Sequence, residues 1–283
     1  MTTGLGASRL AGYTLPLSPS GRAAMVTPPP WHFSGTFIWV DYTVDPERAA
    51  RFLPPGMELS ETGAAAAAFS SWQWCGDGGA ELEEPAHSQF SEFMVLLSVT
   101  YRGRPAARCP YAWVDHAVPM IRGWIQGMPK QFGSVHMTRT VSAGLAGPRR
   151  RPGSVYRGSL AVHDHRVADV RVSLTGPADE PPALNSVPLV HTRVFPPWIP
   201  QAPGVYETVA SDVTGAEYSA VWTGAAELRF SPQLLDDPDF GALAPVGIGP
   251  GYVFEYGETL LGGLDADTWE HPHERNRPAQ QDR

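Results

Sequence analysis

The chain has 283 residues, of which 42% are hydrophobic and 10% aromatic, and a formal net charge of -8. That composition supports a sizeable buried core and excludes disorder as the main state. The acidic balance argues against a nucleic-acid partner, because phosphate binding needs a Lys/Arg stripe, and no apolar run approaches the roughly 18 residues a membrane helix requires.

Taken in chain order, residues 1–27 read as an N-terminal arm without the continuous apolar segment of an export signal. Strands are predicted at Thr36–Val44, Ala65–Trp74, Phe90–Tyr101, Tyr111–Val118, Ser134–Val141, Ser154–Val162, Val167–Leu174, Leu189–Phe195, Val205–Asp212, Tyr218–Phe230 and Gly251–Leu261. Most are short, rich in Val, Thr, Tyr, Phe or Trp, and bounded by Gly or Pro. Helix signals are few. Asp45 caps a segment with Pro46 at its first turn that runs through Leu53 to the stop at Pro54-Pro55-Gly56, and a second short helix is predicted at Ile121–Gln126. Gly and Pro, 29 each, are spread throughout and leave little room for long helices. The reading is one mainly antiparallel β-rich domain over 28–264, followed by a polar tail at 265–283 that resembles a disordered end.

Several motifs fail early. Gly247-Ile248-Gly249-Pro250-Gly251 precedes a strand and does not open a helix, so it does not match a dinucleotide loop. His163-Asp164-His165 could place two imidazoles on one strand face, but it falls between two strands and reads as a hairpin turn, and no third ligand is near. Neither a metal nor a cofactor is expected. Arg149-Arg150-Arg151, the densest basic run, reads as a solvated loop. Two cysteines, Cys75 and Cys109, are too few for a disulfide framework, so a reducing cytoplasm is the expected location.

The 21 basic residues are twenty Arg and one Lys, Lys130. A G+C-rich coding bias accounts for that ratio. Lys130 nevertheless lies in Arg122-Gly-Trp-Ile-Gln126-Gly-Met-Pro-Lys130-Gln-Phe-Gly133, among apolar residues and glycines. There the amine either snorkels to water or is buried. Lowering its pKa from about 10.4 to near 7 takes roughly 4 to 5 kcal/mol, a cost that makes sense if a neutral amine must attack a carbonyl. Arg cannot lose its proton at usable pH and cannot substitute for it.

Gly-Met-Pro-Lys130-Gln-Phe-Gly, together with Asp45-Pro-Glu-Arg-Ala-Ala-Arg-Phe-Leu-Pro-Pro-Gly-Met57, resembles the acetoacetate decarboxylase superfamily, in patches from Trp31 to Leu264. The resemblance implies antiparallel sheets curled into cone-like barrels around a buried pocket, a homo-oligomer, and a Schiff base on Lys130. It implies that Glu92, in Phe90-Ser91-Glu92, is the active-site acid/base; a strand-edge Glu facing solvent is the other reading. Arg122 and Gln126, eight and four residues before Lys130, match the branch that condenses or cyclises 2-oxo acids. They would grip a carboxylate and a carbonyl or hydroxyl, or else serve structurally. On the last strand Tyr252, Tyr256 and Glu258 share a face, and Tyr252 and Glu258 are taken as further substrate contacts. Trp72 and Trp74 read as core.

Departures from the classical decarboxylase are Gln131 in place of a second lysine, Gly35 and Thr36 near the position of an expected arginine, and Ser70 in place of a pocket glutamate. They direct the expectation toward a cofactor-independent lyase that joins a 2-oxo acid such as pyruvate to an aldehyde through aldol condensation and dehydration. Decarboxylation of a β-keto acid is the alternative, and non-catalytic binding of an apolar metabolite is a second one.

Overall fold

The computed structural model describes residues 9–268; the parts of the expected arm and tail at 1–8 and 269–283 lie outside the described residues. Its strands are β1 (Trp31–Thr43), β2 (Met57–Leu59), β3 (Ala64–Gly76), β4 (Gln89–Tyr101), β5 (Arg104–Val114), β6 (Lys130–Phe132), β7 (Ser134–Met137), β8 (Val155–Val162), β9 (His165–Pro177), β10 (Val190–Phe195), β11 (Val205–Tyr218), β12 (Trp222–Phe230) and β13 (Gly247–Asp265). The α-helices are α1 (Pro46–Ala49), α2 (Pro85–Ser88), α3 (Ala117–Gln126) and α4 (Pro232–Leu235).

All the strands belong to one 13-stranded sheet whose main path runs β6-β5-β4-β3-β1-β13-β12-β9-β8-β7, with β10, β11 and β2 branching from it. Its pairings are antiparallel except β5 with β6. The sheet curls but does not close into a complete hydrogen-bonded barrel, so the cone-like barrels implied by resemblance are met as an open, rolled sheet. The two ends of the path, β6 and β7, are separated only by Gly133, whose N–H donates to Val114 O. A Cβ there would stand 2.7 Å from Leu160 Cδ1 and 3.2 Å from Trp113 Cβ, so a larger residue would have to push the Leu160 side chain aside where the chain crosses from one sheet edge to the other.

The central strands are apolar on both faces, as strands covered on both sides must be. Ile38, Val40, Phe69, Phe93 and Val95 face one core with residues of β8, β9 and β12, where Gly158 sits against the ring of Phe69. Phe37, Trp39, Ala68, Trp72 and Met94 face the other way, toward α3 and the 184–189 segment. The second core surrounds the cavity described below.

Several boundaries differ from the sequence expectation. The strand expected at Tyr111–Val118 is β5, which starts at Arg104 and ends at Val114. Pro105 and Pro110 hid its first half, and the register shift opposite Val95 and Leu97 accommodates Pro110. The helix expected from Ile121 begins at Ala117, with His116 Nδ1 accepting from Val118 N–H. The strand expected at Tyr218–Phe230 is β12, which starts only at Trp222, and the one expected at Val205–Asp212 is β11, which runs on to Tyr218. His163 and Asp164, at φ 48° and 64°, form the hairpin turn between β8 and β9. Arg150 is not solvated: it donates to Ser219 Oγ at 3.0 Å and to Glu255 Oε1 at 2.7 Å. Cys75 and Cys109 are both free.

Candidate active site

One local chain path brings three polar side chains to a single cavity. Arg122 and Gln126 are one turn apart on α3, so they share a face. The helix stops at Gly127, φ 85°, where Met128 N–H donates to Gly123 O (2.8 Å) and Gly127 N–H to Trp124 O (3.1 Å), a Schellman closure. Pro129 prevents further helix, and Lys130 enters β6 beside Ala112 of β5. Trp124 Nε1 donates to Lys130 O at 2.9 Å and fixes the new strand against the helix it just left. Gly123 makes the close approach possible, because a Cβ there would lie 2.4 Å from Lys130 Cδ and 2.7 Å from its Cγ.

The cavity has a volume of about 310 Å³. Lys130, Glu92, Arg122, Gln126 and Glu258 all line it. Tyr252 does not; Tyr256, on the same face of β13 and paired with Gly35 of β1, lines the cavity in its place. Trp72, expected as core, is also a wall residue.

Lys130 Nζ lies 2.8 Å from Glu92 Oε1, with the side chains 5% and 4% exposed, so neither snorkels to water. The second carboxylate oxygen of Glu92 accepts from Trp72 Nε1 at 3.1 Å. Burial holds the Lys130 ammonium below its usual pKa, opposed by Glu92 and assisted by Arg122. Gln131, the neighbour whose identity departs from the classical decarboxylase, is exposed, so the second cation near Lys130 is Arg122.

Arg122 is fully buried, and neither terminal nitrogen of its guanidinium has a hydrogen-bond partner. It is enclosed by aromatic rings, its Cζ 4.6 Å from the centroid of Phe33, 4.5 Å from Trp74 and 5.2 Å from Phe90. Ring faces offset part of the desolvation cost, but burial still brings its pKa down to about 9. A buried cation with two unpaired N–H₂ groups is a preformed site for a planar anion. Glu258 also lines the cavity and accepts from Tyr256 Oη at 2.8 Å; burial is the main reason its pKa is raised.

Sequence reasoning missed Trp72, Tyr256, Gly35 and Gly123. Gly35 is legible only in three dimensions: a Cβ there would come within 2.6 Å of the Trp72 ring, so glycine at this position lets the indole lie where it reaches Glu92.

A rolled, largely antiparallel sheet enclosing a Lys–Glu pair and a buried guanidinium is matched by a known family. The chain belongs to the acetoacetate decarboxylase family, whose model, acetoacetate decarboxylase (ADC), matches residues 14–267. Within that family the chain is 55% identical to the enduracididine biosynthesis enzyme MppR. The MppR structure in complex with the condensation product of pyruvate and imidazole 4-carboxaldehyde superposes with a TM-score of 0.87, covering 92% of this chain and 98% of that one. The MppR complex with pyruvate gives 0.86, with 91% and 98% covered. An acetoacetate decarboxylase-like enzyme from Sphingomonas wittichii RW1, 24% identical, shares the fold at a TM-score of 0.80 over 90% of this chain and 98% of that one. No curated protein sequence matches the chain.

Proposed function

We propose that the protein is a Schiff-base lyase that condenses pyruvate, or a close 2-oxo acid, with an aldehyde and then eliminates water. The observation that carries this reading is the buried Lys130–Glu92 pair in the same cavity as the unpartnered guanidinium of Arg122. The MppR complexes with pyruvate and with a pyruvate–aldehyde condensation product support it from a neighbour 55% identical.

The substrate carboxylate pairs with Arg122, and Gln126 hydrogen-bonds the carbonyl oxygen. Glu92 takes a proton from Lys130, and the neutral amine adds to the keto carbon. Glu92 returns that proton as the oxygen leaves as water, the amine supplying the other proton, and the resulting iminium withdraws electrons from the adjacent methyl. Glu92 removes a methyl proton to give the enamine, whose carbon attacks the aldehyde while Glu258 protonates the aldehyde oxygen. Burial raises the pKa of Glu258, the direction that favours the protonated form a donor needs. Glu258, now ionised, removes a second proton from the same carbon while Glu92 protonates the departing hydroxyl, which leaves as water, and hydrolysis frees Lys130. Pyruvate and aldehyde are thus converted to a 2-oxo-3-enoic acid and one water, with no redox change.

The test is product formation. Pyruvate plus an aromatic aldehyde is expected to give a growing conjugated-enone absorbance without carbon dioxide; carbon dioxide from acetoacetate with no enone would replace this reading with decarboxylation. A homo-oligomer is part of the same proposal, supported by the exposed Trp198 and Ile199 between β10 and β11 and checked by light scattering. So are the single domain at 28–264 and a cytoplasmic location; no described helix is long and apolar enough to cross a membrane.

A further inference from the structure

A second cleft of about 720 Å³ adjoins the catalytic cavity. Gln126 and Ser211 line both, so the two spaces meet at these side chains. Trp31 forms another part of the partition: its ring lies 5.8 Å from Arg122 Cζ on the inner side and 6.3 Å, edge-on, from Tyr13 on the outer side. Small residues continue from this junction along the cleft. Ser211 and Asp212 of β11 pair with Gly263 and Gly262 of β13 at a bulge, and both glycines line the cleft.

The two spaces differ in charge. The inner one holds two cations, Arg122 and Lys130, and two carboxylates, Glu92 and Glu258; Lys130 pairs with Glu92, and the unpartnered guanidinium of Arg122 is what draws a substrate carboxylate. The outer one has three carboxylates, Glu207, Asp265 and Asp267, against one guanidinium, Arg193. Arg193 pairs with Glu207 and donates to Ile125 O at 2.6 Å, so the same side chain anchors the end of α3 that carries Gln126. Asp267 is held by Arg102 and Tyr101, and Asp265 caps its own turn. An additional anion here meets these carboxylates, and the one cation among the lining residues, Arg193, is already paired with Glu207.

We propose that this outer cleft binds the distal part of the aldehyde, its tail passing between Gln126 and Ser211, and that it takes uncharged-polar or cationic tails in preference to anionic ones. The inner cavity, at the small end of ligand-site volumes, holds the reacting atoms. The inference rests on the condensation reading above and deepens it by naming the second substrate's class.

The experiment compares acetaldehyde with hexanals bearing a terminal hydroxyl, trimethylammonium or carboxylate, each with pyruvate and the full-length protein. Hydroxyl and trimethylammonium tails are expected to raise kcat/KM over acetaldehyde by about tenfold, the first through hydrogen bonds and the second through attraction to the carboxylates, and the carboxylate tail is not. Equal values across the series, or a preference for the carboxylate, would overturn the proposal. Gly263→Leu then tests the location. A Cβ at Gly263 meets only Ala210 O and Val209 Cβ, at 3.9 Å, so the fold has room for it while the cleft narrows. The variant is expected to bring the tailed aldehydes down to acetaldehyde's level, and a tail advantage that survives it places the tail elsewhere. Borohydride trapping of pyruvate on both proteins separates the two hypotheses. Without an adduct on Lys130 the condensation reading itself fails; with an adduct but no tail dependence, only the outer cleft fails.

Discussion

Lys130 is the chain's one lysine, which makes its protonation directly measurable: a small acylating reagent can label no other side-chain amine. Labelling followed across pH and mapped to the Lys130 peptide should give a limb below the ordinary value of 10.5, because burial disfavours the ammonium. Glu92→Gln deletes the anion 2.8 Å away that favours the charged form, so the limb should move to still lower pH. At an effective dielectric near 20 that separation gives a Coulomb energy of about 6 kcal/mol, which is a ceiling. Close opposite charges typically move a pKa by about 1 to 3 units, or about 1.4 to 4 kcal/mol, and that is the shift expected. Arg122→Met deletes a cation that disfavours the ammonium, so its limb should rise toward 10.5. Opposite movements of the two variants are the signature. A limb that rises in Glu92→Gln, or that stays fixed in both, would refute the electrostatic account of amine activation.

Arg122→Met should also stabilise the fold by about 1 to 4 kcal/mol, since it replaces a buried, unpaired cation with an apolar side chain, while abolishing pyruvate binding; calorimetry with and without pyruvate checks both halves. Gly123→Ala puts a methyl where the Lys130 stem lies and should slow imine formation at least tenfold, read by stopped-time trapping. Trp72→Phe leaves Glu92 Oε2 without its buried donor, a loss of about 1 to 3 kcal/mol. It should appear mainly in kcat, with KM for pyruvate little changed because Arg122 is intact.

The β-rich architecture was legible because β3, β4 and β8 are β-branched, aromatic or small-residue runs punctuated by turn residues, and α1 carries its own cap and stop signals. Where Pro105 and Pro110 interrupt the pattern, β5 was half lost, since a bulge can hold a proline that local rules would place in a loop. The site divides along the same line. Arg122, Gln126 and Lys130 lie within nine residues of each other, and their spacing shows in the sequence once a helix, a turn and a strand are read there. Glu92, Trp72, Gly35 and Tyr256 meet through the register of β4, β3, β1 and β13, which no local pattern specifies. Choosing Tyr252 over Tyr256 failed for that reason: alternation gives the shared face, and only the pairing of Tyr256 with Gly35 says how far along the strand the cavity lies.

The central claim is that Lys130 forms an imine with a 2-oxo acid. Incubating the protein with pyruvate, reducing with borohydride and mapping the mass adduct tests it most directly. The account predicts one adduct, on the Lys130 peptide, abolished by Lys130→Ala and weakened when Arg122 is replaced. An unmodified Lys130 after reduction with pyruvate and a range of other ketones would contradict it.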